Sequence, residues 1–428
     1  MQYFSEFPQN LPISYEADIL VCGSGPSGIA AALAAARSGC KTIIIESMGD
    51  VGGISTSGLM SHWTGRAYSP IYFEILRESA KRSGIEFKTD SFHMIDPEKL
   101  KTLYLDMLTE AGADILLYTF ASGVIVEDGC VKGVITENKS GRSVILAKVV
   151  IDATGDGDIA YKAGASYVKG RESDGKMQPC TIMFKVGGVD YSKAVFPGSF
   201  ETLVPTEKGE LQALGKEIIG HPAGHVLLYR STLPGVVTCN MTNCIDIDGT
   251  KTEDLTKATI ICRRQIDKIV DFLKKYAPGY ENCFCISSAS LIGIRETRHF
   301  KGVYTLTEED ILQARQFDDW IVRDAHFNFD IHNIEGAGLD KDGVQHKFSQ
   351  KKGYTIPYRC LIPEKLDGLI LAGRCISGTH KAHSNYRVMP ICVGMGEGAG
   401  YAAAIAVKKG ILPRDVAASE IQQCIGRI

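Results

Sequence analysis

The pattern of apolar and polar positions changes period several times along the chain. Ala17 to Cys22 reads as an apolar run of strand length that stops at Gly23-Ser24-Gly25-Pro26-Ser27-Gly28. Ile29 to Arg37 is rich in alanine, which predicts a helix, and Gly39 supplies its stop. Thr42 to Ile45 is a β-branched apolar run, the pattern of a buried parallel strand. Strand, glycine turn, helix and strand make a βαβ unit over residues 17–46. Helices are expected over 70–83 and 97–111, the second started by Asp96 before Pro97. Residues 121–147 hold three short alternating runs divided by Asp128-Gly129 and Ser140-Gly141, which predicts a three-stranded β-meander.

Val149-Val150-Ile151 then feeds Asp152-Ala153-Thr154-Gly155-Asp156-Gly157-Asp158. The middle, 171–350, mixes strand-like runs with helices near 201–219 and 252–276, and has no glycine-rich phosphate loop. Gly368 to Gly373 predicts another buried strand. After it come Gly394, Gly396, Gly398 and Gly400, where a further helix is expected to open and run to about Lys409. The segments that look like cofactor machinery therefore sit at both ends, and the middle reads as an insertion.

Composition narrows the classes. A chain of 428 residues suggests two to three domains and a core that needs no metal or disulfide staple. Apolar residues make up 44% and charged residues 23%, which excludes disorder. Lysine plus arginine is 47 and aspartate plus glutamate is 50, a net charge of −3. No stretch carries five like charges, and Lys351-Lys352 and Lys408-Lys409 are the densest basic spots, so no nucleic-acid or membrane partner is expected. Thirteen cysteines without framework spacing read as reduced thiols, with Cys22 and Cys40 as small buried hydrophobes. The first 20 residues carry Glu6, Glu16, Asp18 and prolines at 8 and 12, unlike a signal peptide, and Ile29–Ala36 is too short to span a bilayer. A soluble, cytoplasmic protein is expected. Trp63 and Trp320 read as packing residues.

Gly23, Gly25 and Gly28 match G-x-G-x-x-G, with Ser24, Pro26 and Ser27 between them. In such a turn the first glycine allows the sharp bend and the second lets the backbone approach a pyrophosphate. The third lets helix and strand pack closely, and the helix N-terminus presents free amides to the phosphates. Glu46 follows 18 residues after Gly28, where an acid meets ribose hydroxyls. An acid there leaves NAD or FAD open. Four more glycine-bearing approaches, at Gly52-Gly53, Ala153-Thr154-Gly155-Asp156, Gly373-Arg374 and Gly394–Gly400, suit a longer ligand whose far end is also gripped, which favours FAD.

On Gly23–Gly28, Glu46, Gly52-Gly53, Ile151–Asp158, Ile292–Asp310 and Gly368–Ala406, the sequence resembles FAD-dependent oxidoreductases of the glutathione-reductase-like superfamily, related to fumarate reductase and succinate dehydrogenase flavoproteins. The resemblance implies an α/β fold: a Rossmann-like FAD-binding domain of parallel sheet plus three-stranded β-meander, split over 1–170 and 351–428, with an inserted α+β substrate or cap domain over 171–350. It places Gly23 to Gly28 at the diphosphate and Glu46 at the adenosine ribose. Gly52, Gly53 and Ser55 would run past the flavin, and Val124 would reach the adenine through its backbone. Ala153, Thr154, Gly155 and Asp156 would border the dinucleotide. Gly373-Arg374 would meet the diphosphate or ribityl chain, and a helix opening near Gly398 would point at the flavin.

The expected chemistry is hydride transfer between a small, anionic organic substrate and flavin N5. Two segments offer polar helpers. In Ile294-Arg295-Glu296-Thr297-Arg298-His299, Arg295 is a candidate anchor for a substrate carboxylate; the structural alternative is an ion pair of Glu296 with Arg295 or Arg298. The second, Thr379 to Arg387, lies where the family places a flavin-facing loop, and His383-x-x-x-Arg387 is similar to the His-x-x-x-Arg of fumarate reductase flavoproteins, although Val-Met-Pro follows it here. His380 or His383 would move the proton and Arg387 hold the anion. A disulfide reductase lacks support, since there is no Cys-x-x-Cys. No metal is expected: His221 and His225 have i,i+4 spacing, but Pro222 and Gly224 disfavour the helix that would align both rings, and His380-x-x-His383 lacks a paired cysteine or acid motif. Nothing points to covalent flavin at His62. The alternative reading is a flavin-binding protein with a structural, redox-sensing or complex-partner role. An oligomer is compatible with either.

Overall fold

The computed structural model describes residues 10–87, 93–343, 348, 350 and 352–426; Glu6, Pro8 and Lys351 lie outside them. The apolar run at the start becomes strand β1 (Ile13–Cys22), and helix α1 (Pro26–Arg37) and strand β2 (Thr42–Ile45) complete the βαβ unit. Seven strands share one sheet, ordered Asp114–Leu116, β2, β1, Gly141–Asp152, Cys130–Asn138 and Phe120–Glu127, with Leu369–Leu371 also bound to Gly141–Asp152. Strands around β1 run parallel and the meander antiparallel.

The meander's third strand does not stop at 147 but runs on to Asp152. Its first half pairs with Cys130–Asn138 from Asn138↔Gly141 to Gly133↔Leu146. Its second half exchanges that neighbour for Leu369–Leu371, with Leu369 opposite Val150 and Leu371 opposite Asp152. Along the other edge β1 stays in place from Ile13↔Val144 to Cys22↔Asp152. One strand thus delivers the chain from the meander to the point where β1 also ends.

Helix α1 is buried from Pro26 to Ala36 and packs against the helix Met389–Lys409. The expected start of that helix at Gly394–Gly400 is corrected: it starts at Met389, with Pro390 in its first turn. The glycines lie inside it and permit contact. A Cβ on Gly396 would sit 1.9 Å from Ser27 O, and one on Gly400 would sit 2.4 Å from Ala31 O. This helix is apolar and long enough to cross a membrane, yet 89% of its apolar window is buried within the molecule.

A second core lies in the middle of the chain. Strands Leu228–Arg230, Val237–Cys239, Phe184–Gly187 and Phe284–Ser288 form an antiparallel sheet. The helix Thr252–Tyr276 buries Cys262, Ile266, Ile269 and Leu273 in the same core. Phe300, Leu306, Ile321 and Val322 belong to the first core, whereas the last buried residue of the second is Ala289. The expected helix at 201–219 shortens to Leu211–Ile218, because a hairpin of Pro205–Thr206 and Gly209–Glu210 occupies its first half. Glu210 then caps the helix by accepting from the amides of Gln212 and Ala213.

Candidate FAD and substrate site

The turn Gly23–Gly28 shows what each glycine does. Gly23 has φ +93°, and a Cβ there would lie 2.6 Å from Ala153 O. On Gly28 it would lie 1.9 Å from Gly23 O. On Gly25 it would meet no protein atom within 4 Å. The outer two glycines are therefore closed by the fold, and the middle one faces open space at the amino end of α1. Glu46 lies beside this turn: Oε2 accepts from Ser24 N at 3.0 Å and Ser24 Oγ at 2.7 Å, and Oε1 accepts from Met48 N at 2.9 Å.

The remaining approaches converge on the same turn. A Cβ on Gly53 would lie 3.2 Å from Gly25 Cα, and one on Gly373 would lie 3.3 Å from Ser27 Cβ. Gly155 lies against the Arg374 guanidinium, and Arg374 Nη2 donates to Asp156 Oδ1 at 2.6 Å. Ser27 Oγ is buried with no partner at the base of the turn. An open glycine, helix amides, an acid at the end of β2 and an unsatisfied buried hydroxyl fit a dinucleotide diphosphate and its ribose.

Other expected cofactor residues make contacts within the protein. Gly398 lies in mid-helix, and a Cβ there would strike Ile321, so it packs helix on strand rather than pointing a helix end at a ligand. Asp156 Oδ1 also accepts from Thr297 Oγ1, and Thr154 donates its amide and hydroxyl to Asp152 Oδ1. Asp152 is fully buried, and burial pushes its carboxyl up to about 6 against the Ala160 amide and Thr154 hydrogen bonds. Ser55 is buried and donates to Gly52 O at 2.6 Å. Val124 is half-buried in the meander.

The segment Thr379–Arg387 is not a loop. It is a helix, His380–Tyr386, capped by Thr379, whose hydroxyl accepts from Ala382 N, with Arg387 at its carboxyl end. The ion pair weighed as the structural alternative for Glu296, with Arg295 or Arg298, gives way to other partners. Arg298 binds Asp158 at 2.8 Å, and Arg295 Nη1 donates to Pro179 O at 2.5 Å. Glu296 Oε1 instead lies 2.8 Å from His299 Nε2 and 2.6 Å from His380 Nδ1, and Oε2 accepts from Gln178 N at 3.1 Å. Burial alone would raise this carboxyl; the two histidines outweigh it and hold it low. Burial, reinforced by His299, keeps His383 well below its ordinary value, so its ring is neutral.

Beside this group lies a second. Arg387 Nη2 donates to Asp330 Oδ2 at 3.1 Å and to Asp330 O at 3.0 Å, and His332 Nε2 lies 3.4 Å from the same carboxylate oxygen. Burial and the Arg387 charge bring Arg295 down to about 10. His332 falls to about 4 through burial and then Arg295; His225 falls to about 3 through burial, then His332 and Arg295. At neutral pH this layer, buried at Arg295, His225 and His332 and partly buried at Arg387 and Asp330, holds two guanidinium charges, one carboxylate and two neutral imidazoles, an excess of one positive charge.

Asp330, His332 and Gln178 were not singled out from the sequence. They lie in irregular segments without a motif, and only the fold sets them against Arg387 and Glu296. His62 stacks on Tyr229 with ring centroids 4.6 Å apart and planes 4° from parallel.

The family model described as FAD dependent oxidoreductase matches residues 18–425. A digeranylgeranylglycerophospholipid reductase of Methanopyrus kandleri is 28% identical over 214 residues, 45% of this chain and 53% of that protein, so the chain spans about half of that relative. A thiamine thiazole synthase of Methanococcus aeolicus is 33% identical over 199 residues, 43% of this chain and 73% of that protein. The solved structure of a flavin-dependent brominase superposes with a TM-score of 0.50 at 12% identity, covering 92% of this chain and 80% of that one, which supports the α/β fold.

Proposed function

The chain belongs to the FAD-dependent oxidoreductase family, and from that premise we propose that it moves a hydride between flavin N5 and a small organic anion held by Arg295 and Arg387. The carrying observation is the charge of this layer: the buried Arg295 and the partly buried Arg387 against the single, partly buried carboxylate of Asp330. One anionic group of a substrate brings that layer to neutrality, and the planar forks of the arginines suit a carboxylate or phosphate. When bound, FAD supplies the two-electron chemistry. The chain's own residues bind and orient. Gly25 and the first turn of α1 would receive the diphosphate, and Glu46 the ribose. Arg387, at the end of the helix that also carries His380 and His383, is set by Asp330. The similarity of His383-x-x-x-Arg387 to the fumarate reductase flavoproteins supports an anionic substrate and names no particular one.

The test is anaerobic reduction of the protein-bound flavin by a panel of hydroxy, amino and saturated carboxylates, and anaerobic reoxidation of the reduced flavin by unsaturated ones. Bleaching or recolouring by a member of the panel supports the reading. Arg387→Lys should then keep FAD and raise KM by about tenfold or more, the worth of one bidentate charge contact of roughly 1.5–3 kcal/mol. A flavin that neither these compounds nor NAD(P)H reduce would favour the structural or redox-sensing role instead.

A further inference from the structure

Glu296, His299 and His383 each bring one ligand atom, a carboxylate oxygen and two ring nitrogens, to within 4.8 Å of one another. All three are buried, at 1%, 2% and 1% exposure. We infer that Glu296, His299 and His383 form a site for one imidazole-preferring divalent transition ion, such as Zn²⁺ or Fe²⁺. This reaches beyond the flavin chemistry and reverses the expectation of no metal.

Three observations carry it. Bonds of about 2.0–2.2 Å to a central ion place ligand atoms some 3–4.3 Å apart, so the observed spacing closes around one ion with small movements. His299 Nδ1 and His383 Nδ1 are both buried with no hydrogen-bond partner, and buried ring nitrogens are normally paired, to protein, to water or to a metal. The carboxylate is fixed on both oxygens: Oε1 lies 2.6 Å from His380 Nδ1 and 2.8 Å from His299 Nε2, a contact an ion would replace, Oε2 accepts from the Gln178 amide at 3.1 Å, and Arg295 and Arg298 bind other partners.

The residue that holds the carboxylate also borders solvent-accessible space. His380 stands in the wall of a cavity of about 360 Å³. Glu172, Glu308, Asp340 and Asp342 line it against Arg171 and Lys381, a net negative mouth that concentrates cations. Two imidazoles and one carboxylate select against Mg²⁺ and Ca²⁺, which prefer oxygen alone, and leave positions for water or a substrate oxygen. The sequence hides the set, because Glu296 and His299 share a short segment whereas His383 comes from a helix far along the chain.

The test uses tag-free protein with its FAD, stripped by chelator, equilibrated with Zn²⁺ alone and dialysed. Elemental analysis should return one zinc per chain, and X-ray absorption at the zinc edge should show two imidazoles and no sulfur. His299→Ala and Glu296→Gln, accepted as folded by their retained flavin spectrum, should lower bound zinc at least tenfold, while His221→Ala should leave it unchanged. Wild-type protein with less than a tenth of a zinc per chain would overturn the site. So would zinc bound through thiolates, or a stoichiometry that both site variants leave intact. If the variants lose their flavin, the ligand count on wild-type protein decides alone. Turnover is not read, so this inference and the anion reading fail separately.

Discussion

Arg374 crosses from the end of one parallel strand to Asp156, just past the end of its neighbour, Nη2 to Oδ1 at 2.6 Å. The two side chains are 19% and 22% exposed, so the contact is partly screened and contributes about 1 kcal/mol to the fold. Its larger effect is positional, because Gly155 lies against the guanidinium beside the glycine turn. Arg374→Ala should therefore shift the unfolding midpoint slightly while weakening FAD about tenfold. Flavin release on dilution, followed by fluorescence, measures the second effect, and an unchanged affinity would remove this pair from the cofactor site.

Gly28 is closed by the protein itself. A Cβ 1.9 Å from Gly23 O must push α1 from β1, where Ile29 to Ala35 are completely buried. Gly28→Ala should cost about 2–3 kcal/mol in a denaturant titration of the FAD-free protein, the usual price of overpacking. Wild-type stability would show that α1 can move without loss.

Glu397 is buried in the helix Met389–Lys409, where its Oε2 accepts from Ser69 Oγ and its Oε1 has no partner. Burial pushes its carboxyl from 4.5 up to about 7. The folded state then keeps a proton that the unfolded state has lost between these values, so stability is greatest below 4.5 and falls as pH rises toward 7. The gap is worth roughly 3 kcal/mol. Glu397→Gln should flatten this part of the stability profile and raise the unfolding temperature at pH 8 but not at pH 4. Parallel profiles of the two proteins between pH 4 and 8 would contradict that origin.

The parts legible in the sequence are those governed by local rules. Gly23, Gly28 and Gly39 mark their turns because backbone conformation and contact demand glycine there, and Asp96 marks a helix start because its carboxylate accepts from Glu98 N. The limits of the reading are equally physical. Gly396 and Gly400 look like a helix opening, yet they serve contact between two helices, a role that spacing alone does not distinguish. Thr379 to Arg387 carries polar residues suited to a loop, yet the Thr379 cap and burial of Ala382 and Tyr386 make it a helix. Glu296 was weighed with its neighbours Arg295 and Arg298, but its partner His380 lies 84 residues away and only the tertiary fold supplies it.

The picture as a whole rests on Gly25 facing the diphosphate of FAD. Its φ of −62° suits any residue, and its missing Cβ touches nothing in the protein, so Gly25→Val should fold. The direct measurement is flavin per chain in wild type and Gly25→Val after FAD reconstitution, with circular dichroism on both. The expected result is one FAD in the wild type and almost none in a variant whose secondary structure and unfolding midpoint are unchanged. Stoichiometric FAD in folded Gly25→Val, or a wild type that binds none, would contradict it.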